Sequence, residues 1–243
     1  MPQKLMRTIF YEGQTIRYVL ESKQVKNLNL RIRKDGSVYV SANPSVPPEK
    51  VDEFVQSKGA YILSAQKKFR TMTEYAPKPK QYISGENFCL LGRGLRLKVE
   101  QGAKEEVFSD GVYLHLRVKD PDDFQRKQRI AAKYFEKQCR ETFGEVISAL
   151  YPTFQKYGVE MPKLRIRDME TRWGSCLVKK GIITLNKRLL EAPRNCIEYV
   201  VMHEFCHFIH PDHSKRFYAF LTMLMPDWRE RKLALEQCAI YGL

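Results

Sequence analysis

Residues 199–213 read YVVMHEFCHFIHPDH, and this stretch decides how the second half of the chain folds. Its apolar positions predict a buried helix that begins near Pro193 and runs toward Pro211. Proline is tolerated in the first turn of a helix. Inside a helix it lacks an amide hydrogen and clashes with the carbonyl four residues back. We therefore expect this helix to end at His210.

The same stretch contains the pattern HExxH, formed by His203, Glu204 and His207. Four residues advance a helix by about 400°, so the two histidines lie on one face, one turn apart. That spacing lets two imidazoles bind one metal ion, while Glu204 lies about 100° round the helix, within reach of a water on that ion. The pattern is typical of hydrolases in which zinc acidifies water and a carboxylate removes its proton. We predict such an enzyme, with one zinc ion per chain and Glu204 as the base.

Catalytic zinc usually has three protein ligands and one open position, so a third ligand is needed. The chain has 5 histidines, and four of them fall within this short stretch. His213 lies beyond the proline, where the chain must turn, and is the favoured third ligand. His210 returns to the same helix face but would lie about 10 Å along the axis from His203. Glu230 and Glu236, on a later predicted helix, are further alternatives.

The rest of the chain predicts an α+β fold. A β-rich N-terminal region with one helix is expected over residues 1–119, and a largely helical domain that carries the HExxH pattern over residues 120–243. In the first region, Asp35-Gly36 predicts a hairpin and residues 49–70 a helix with a weak point at Gly59. In the second, a long helix is expected to end near Tyr151, because Pro152 follows. Short strands are predicted at Leu164–Arg167, Arg172–Val178 and Ile182–Leu185.

Composition and charge indicate which partners and which cellular compartment the protein has. The chain of 243 residues has 42 Lys and Arg against 28 Asp and Glu, a net charge of +14. The excess is spread over both halves, so it predicts either a solvated basic surface or a site for anionic partners such as nucleic acid. No run of eighteen apolar residues and no export signal are found, and the 6 cysteines are scattered without a CxxC pair. We therefore expect a cytoplasmic protein with reduced thiols and no membrane span.

Further motifs follow one another in a fixed order: RWGSC at 172–176, GIITLN at 181–186, Pro193, YVVMHE at 199–204, and His213-Ser214 with Phe217. Together they resemble the YgjP-like metallopeptidases, which are described as metal-dependent hydrolases and are similar to WLM and SprT-like zinc proteases. The resemblance is strongest over about residues 160–235. It implies a zincin-like core, in which a small sheet packs on the HExxH helix.

The resemblance also implies that His203, His207 and His213 bind the metal and that Glu204 is the general base. The expected function is then cleavage of protein or peptide substrates, with an edge strand of the sheet pairing with the substrate backbone. The alternative is a basic, nucleic-acid-associated protein with a metal site, including a protease that acts on DNA-bound proteins. Neither Tyr199 nor His210 is singled out by the sequence as the group that stabilises the oxyanion.

Overall fold

The computed structural model describes residues 4–33, 35–74 and 79–240. These residues form an α+β fold, as the sequence predicts, and fall into two compact units. One unit contains the described residues up to 74, and the other contains residues 79–239. The boundary expected between residues 119 and 120 falls inside the second unit and stays a prediction about independent folding.

The first unit is a four-stranded sheet followed by two helices. Its sheet has the order β1-β2-β4-β3, with β2 and β4 parallel and the two outer pairs antiparallel. The elements are β1 (Lys4–Tyr11), β2 (Gln14–Ser22), β3 (Asn29–Ile32), β4 (Val38–Ala42), α1 (Pro48–Ser57) and α2 (Gly59–Glu74). The antiparallel pairing of β3 with β4 confirms the hairpin predicted at Asp35-Gly36. The single helix expected over residues 49–70 is two helices that meet at Lys58, next to the weak point at Gly59.

The second unit begins with a sheet that repeats this topology. Its order is β5-β6-β8-β7, again with a central parallel pair between two antiparallel pairs. The strands are β5 (Asn87–Leu90), β6 (Arg93–Gln101), β7 (Glu106–Ser109) and β8 (Tyr113–Val118). Alternate residues of β6 and β8 point into a small core of their own, because successive side chains of a strand face opposite sides.

A long helix, α3 (Phe124–Gln155), follows this sheet, and its end differs from the prediction. It starts where Asp123 accepts a hydrogen bond from the amide of Arg126. It then continues past Pro152, where the sequence predicts a stop. Phe154 lies beyond the proline and is fully buried, stacked on Phe205 at 4.6 Å between ring centroids. Burial of this ring favours the last turn more than the lost helical hydrogen bond opposes it.

A three-stranded sheet and one buried helix form the centre of the second unit. The sheet consists of β9 (Lys163–Arg167), β10 (Gly174–Leu177) and β11 (Ile182–Asn186), in the order β10-β11-β9. It packs on α4 (Arg194–Cys206), most of whose residues are buried in the largest core of the protein. These elements confirm the three predicted short strands to within two residues at each end.

Helix α4 ends at Cys206, four residues before the predicted end at His210. The amides of Phe208 and Ile209 donate to carbonyls three residues back rather than four, at 3.0 and 3.1 Å. A tighter turn of this kind is expected just before Pro211, whose ring would clash with a regular helical carbonyl. Two further helices complete the unit, α5 (Lys215–Leu224) and α6 (Trp228–Ile240). Across the described ranges, no helix is long and apolar enough to cross a membrane.

Candidate metal centre

Three histidines converge at the end of α4. Their ligand atoms, one from each of His203, His207 and His213, lie within 4.8 Å of one another. The Nε2 atoms of His203 and His213 are 2.9 Å apart. Two nitrogens that share one tetrahedral metal ion lie about 3.3 Å apart, so the rings already stand near the separation that a common ion requires. No other group of three such side chains is found in the part of the chain that the structure describes.

The tight turn after α4 orients His207. The Nδ1 atom of this residue lies 3.3 Å from the backbone oxygen of His210. Because a carbonyl oxygen can only accept a hydrogen bond, Nδ1 must carry the proton and Nε2 is left with a free lone pair. Metal-binding histidines commonly have such a partner on the second nitrogen, which fixes the tautomer and the direction of the ring.

Phe217 on α5 forms a floor beneath the three imidazoles. Its ring centroid lies 4.9 Å from that of His203, 4.8 Å from that of His207 and 5.0 Å from that of His213. The side chain is fully buried. Ser214 begins α5 as its N-cap, with its hydroxyl accepting from the amide of Phe217, so the loop that carries His213 is tied to the helix that carries the floor.

Burial keeps His203 neutral. Its pKa is lowered to about 3, chiefly by loss of solvent and further by the neighbouring charges of His207, His213 and Lys232. Burial also lowers the pKa of His207. A neutral imidazole has a lone pair for a cation, whereas a protonated one does not, so these rings can act as metal ligands at neutral pH.

Glu204 is the one buried carboxylate beside this cluster among the described residues. Its Oε2 atom is buried without a hydrogen-bond partner in that part of the chain. Burial raises the pKa of Glu204 to about 8, and the positive charge of Arg172 opposes the rise. An unpartnered buried carboxylate is costly unless a ligand or ion compensates it. The residues present therefore fit a bound metal ion with a free carboxylate at its side.

The strand β10 leaves just enough room for this carboxylate. A Cβ atom on Gly174 would lie 2.6 Å from Oε1 of Glu204 and 2.9 Å from its Cγ. The loop before β10 is held by Asn186, whose side-chain amide donates to the backbone oxygens of Met169 and Arg172 at 2.8 and 3.0 Å. Asn186 also caps the short turn after β11, the role that its position at a strand end favours.

The other candidate ligands considered from the sequence do not belong to the cluster of His203, His207 and His213. The ring of His210 lies apart from the three-histidine cluster and packs against Phe220 at 5.4 Å, so only its backbone oxygen serves the site. Neither Glu230 nor Glu236 is among the side chains that converge. Tyr199 is buried, and its ring meets that of His203 edge-on at 6.1 Å. Burial raises the pKa of Tyr199, so its hydroxyl stays protonated.

Sequence reasoning missed several residues around the cluster. The close fit of Gly174 against Glu204 and the charges of Arg172 and Lys232 depend on contacts between distant segments. The order of the motifs marks Gly174 and Phe217 as candidates, but it does not say what they contact. Lys232 has no signal in the sequence, since an exposed lysine on a helix is ordinary.

Comparison with known proteins assigns the chain to a family. The family described as YgjP-like, metallopeptidase domain, matches residues 26–238, which is most of the chain. No curated protein matches the chain. The match includes every residue of the histidine cluster, Glu204 and Gly174, and it supports a metal-dependent peptidase at the level of the family. The chain therefore belongs to the YgjP-like metallopeptidase family.

Proposed function

We propose that this protein is a zinc-dependent peptidase with a zincin-like core. In this proposal His203, His207 and His213 hold one zinc ion per chain, and Glu204 is the general base. The observation that carries the proposal is the convergence of three imidazole nitrogens within 4.8 Å beside a buried carboxylate that has no partner. Three histidines with a fourth position left open form a common donor set of catalytic zinc.

The bound ion would supply a Lewis acid that polarises the peptide carbonyl and lowers the pKa of water. The protein supplies the rest. Glu204 follows His203 directly on α4, so the helix holds its carboxylate beside the ligands. Its Oε2 atom accepts the proton of the attacking water and then passes it to the leaving amine. Arg172 favours the ionised carboxylate that this first transfer needs, because its charge lowers the pKa of Glu204.

The strand β10 supports a peptide as the substrate. It lies at the edge of its sheet, so one side has no neighbouring strand among the described residues. Gly174 begins this strand and touches Glu204, which brings the free edge next to the base. An extended peptide that pairs with the edge would present its backbone to the carboxylate without requiring a particular side chain.

The cellular setting is part of the same proposal. All six cysteines are free thiols, and Cys139, Cys196 and Cys206 are buried. Burial raises the pKa of Cys206 to about 12, so this thiol next to His207 stays protonated and is a poor metal ligand. The free state of the six thiols supports a reducing compartment such as the cytoplasm.

One feature favours the second candidate, a nucleic-acid-associated protein. Lys163, Arg165 and Arg167 alternate along β9 and are exposed, and none of them takes part in an ion pair within the described ranges. A row of unpaired cations on one face of a strand is the electrostatic footprint that a phosphate backbone recognises. In this alternative the metal site cleaves proteins bound to nucleic acid.

Glu204→Gln tests the general base. The amide keeps the size of the side chain but cannot accept the proton, so kcat is expected to fall by about 10²–10⁴-fold. Zinc content, measured by elemental analysis, is expected to stay near one ion per chain. Glu160→Gln, an exposed carboxylate outside the cluster, is the matched control and is expected to keep full activity. Undiminished peptide cleavage by Glu204→Gln would remove this residue from the mechanism.

Gly174→Ala tests the fit around the carboxylate. The added methyl group would displace the end of the Glu204 side chain rather than the backbone, so activity should fall at least about tenfold while thermal stability changes little. Gly94→Ala is the control, because a Cβ atom at this strand position meets nothing within 4 Å. Equal peptidase activity of the two variants would show that Gly174 does not position Glu204.

The second candidate predicts binding to a nucleic acid that weakens steeply as salt increases, because each neutralised phosphate releases a counterion. Replacing Lys163, Arg165 and Arg167 together by alanine should reduce both the affinity and the dependence on salt, measured by fluorescence anisotropy. Zinc content and peptidase activity should not change. Absence of binding by the unmodified protein at low salt would reject this candidate.

A further inference from the structure

A groove of about 420 Å³ runs along α6, outside the histidine cluster. It is lined by Trp228, Arg229, Lys232, Leu233 and Glu236. Two of these side chains are cationic and one is anionic, so the groove has a net positive charge. None of them has a part in the general-base mechanism proposed above.

Aromatic stacking connects this groove with the metal centre. The ring of Trp228 is nearly parallel to those of Tyr199 and Tyr218, with centroid distances of 6.4 and 5.4 Å. Tyr199 in turn meets His203 at 6.1 Å, and Tyr218 meets His213 at 6.1 Å. The Tyr199 ring therefore lies between Trp228, which lines the groove, and His203. The Tyr218 ring lies in the same way between Trp228 and His213. A peptide held at the histidines can reach the groove within a few residues, since an extended chain advances about 3.3 Å per residue.

The cations of the groove form no ion pair with any carboxylate among the described residues. Lys232 is exposed, and no ion pair among the described residues involves either Lys232 or Arg229. The guanidinium of Arg229 lies over the ring of Trp228, 4.6 Å from its centroid. By contrast, the neighbouring Arg231 donates to Asp227 and Glu198 and is fully engaged. Two of the three cations on this part of α6 are thus left for a ligand.

The distribution of charge shows which end of the groove suits an anion. Trp228 and Arg229 begin α6, Lys232 lies about one turn later and Glu236 about two turns later. Glu236 lies one helical turn after Lys232, yet the two do not form an ion pair in the described structure. The end of the groove near Trp228 therefore combines two cations with an aromatic wall and no carboxylate of its own.

We infer that this groove binds a carboxylate group of the peptide substrate, with Lys232 as the residue that selects it. The inference rests on the proposed peptidase function and adds a substrate class, namely peptides with a carboxylate near the bond that is cleaved. The group is either the C-terminal carboxylate or an acidic side chain. Lys232 and Arg229 donate to it, and Trp228 supports the adjoining apolar part of the chain.

Three matched peptides distinguish these sources. The first has a free C-terminus and no acidic side chain, the second is the same peptide with an amidated C-terminus, and the third is amidated but has one glutamate in place of glutamine. Cleavage is measured as kcat/KM with the zinc-loaded protein. Affinity is measured by calorimetry with zinc-loaded Glu204→Gln, which does not depend on turnover. Both measurements are repeated in Lys232→Ala, Lys232→Arg and Lys133→Ala.

We expect a preference of about tenfold for at least one carboxylate-bearing peptide over the neutral one, which is the range of a charge-assisted hydrogen bond. Lys232→Ala should abolish the preference and Lys232→Arg should keep most of it. Lys133, an exposed lysine on α3 outside the groove, serves as the control for loss of one positive charge, and its variant should retain the preference. Zinc content should be equal in all variants.

Equal cleavage and equal affinity for the three peptides would overturn the inference, as would a preference that survives Lys232→Ala. Failure of the proposed function gives a different result. If the zinc-loaded protein cleaves none of the peptides, the peptidase proposal is wrong. The calorimetric comparison in Glu204→Gln then still decides whether the groove discriminates by carboxylate.

Discussion

The arrangement of the second unit depends on holding three imidazole rings around one point while a carboxylate beside them stays buried. Two rings come from the end of α4 and the third from the loop before α5, so neither helix can form the cluster alone. Phe217 supplies the surface on which all three rings rest, at centroid distances of 4.8 to 5.0 Å. The short turn before Pro211 adds the backbone oxygen that orients His207. Packing and one hydrogen bond thus prepare the site for an ion.

This requirement explains why the largest core lies around α4. The helix is buried on nearly every side, with β10 and β11 on one face and the long helix α3 also packed against it. Rigid surroundings keep the ligands within the small tolerance that a metal site allows. The same burial keeps His203 neutral and raises the pKa of Glu204. Arg172 and Lys232 are exposed at the edge of this buried region. The charge of Arg172 lowers the pKa of Glu204, and that of Lys232 lowers the pKa of His203.

Much of this could be predicted from the sequence, because spacing on a helix is a local property. The pairing of His203 with His207, the side position of Glu204 and the short strands all follow from periodicity. The ends of the helices could not be predicted as well. Helix α3 continues through Pro152 because Phe154 is buried, and α4 stops early because the chain tightens before Pro211. The contact between Gly174 and Glu204 joins segments thirty residues apart, and the repeated sheet topology has no matching repeat in the sequence.

X-ray absorption at the zinc edge of the zinc-loaded protein tests the central claim most directly, since it counts and identifies the atoms bound to the ion. We predict three imidazole nitrogens and one further light atom at about 2.0–2.1 Å, and one imidazole fewer in His213→Ala. A sulfur atom at about 2.3 Å, or a spectrum with no imidazole scattering, would contradict it, because either would place the ion away from the three histidines that meet over Phe217.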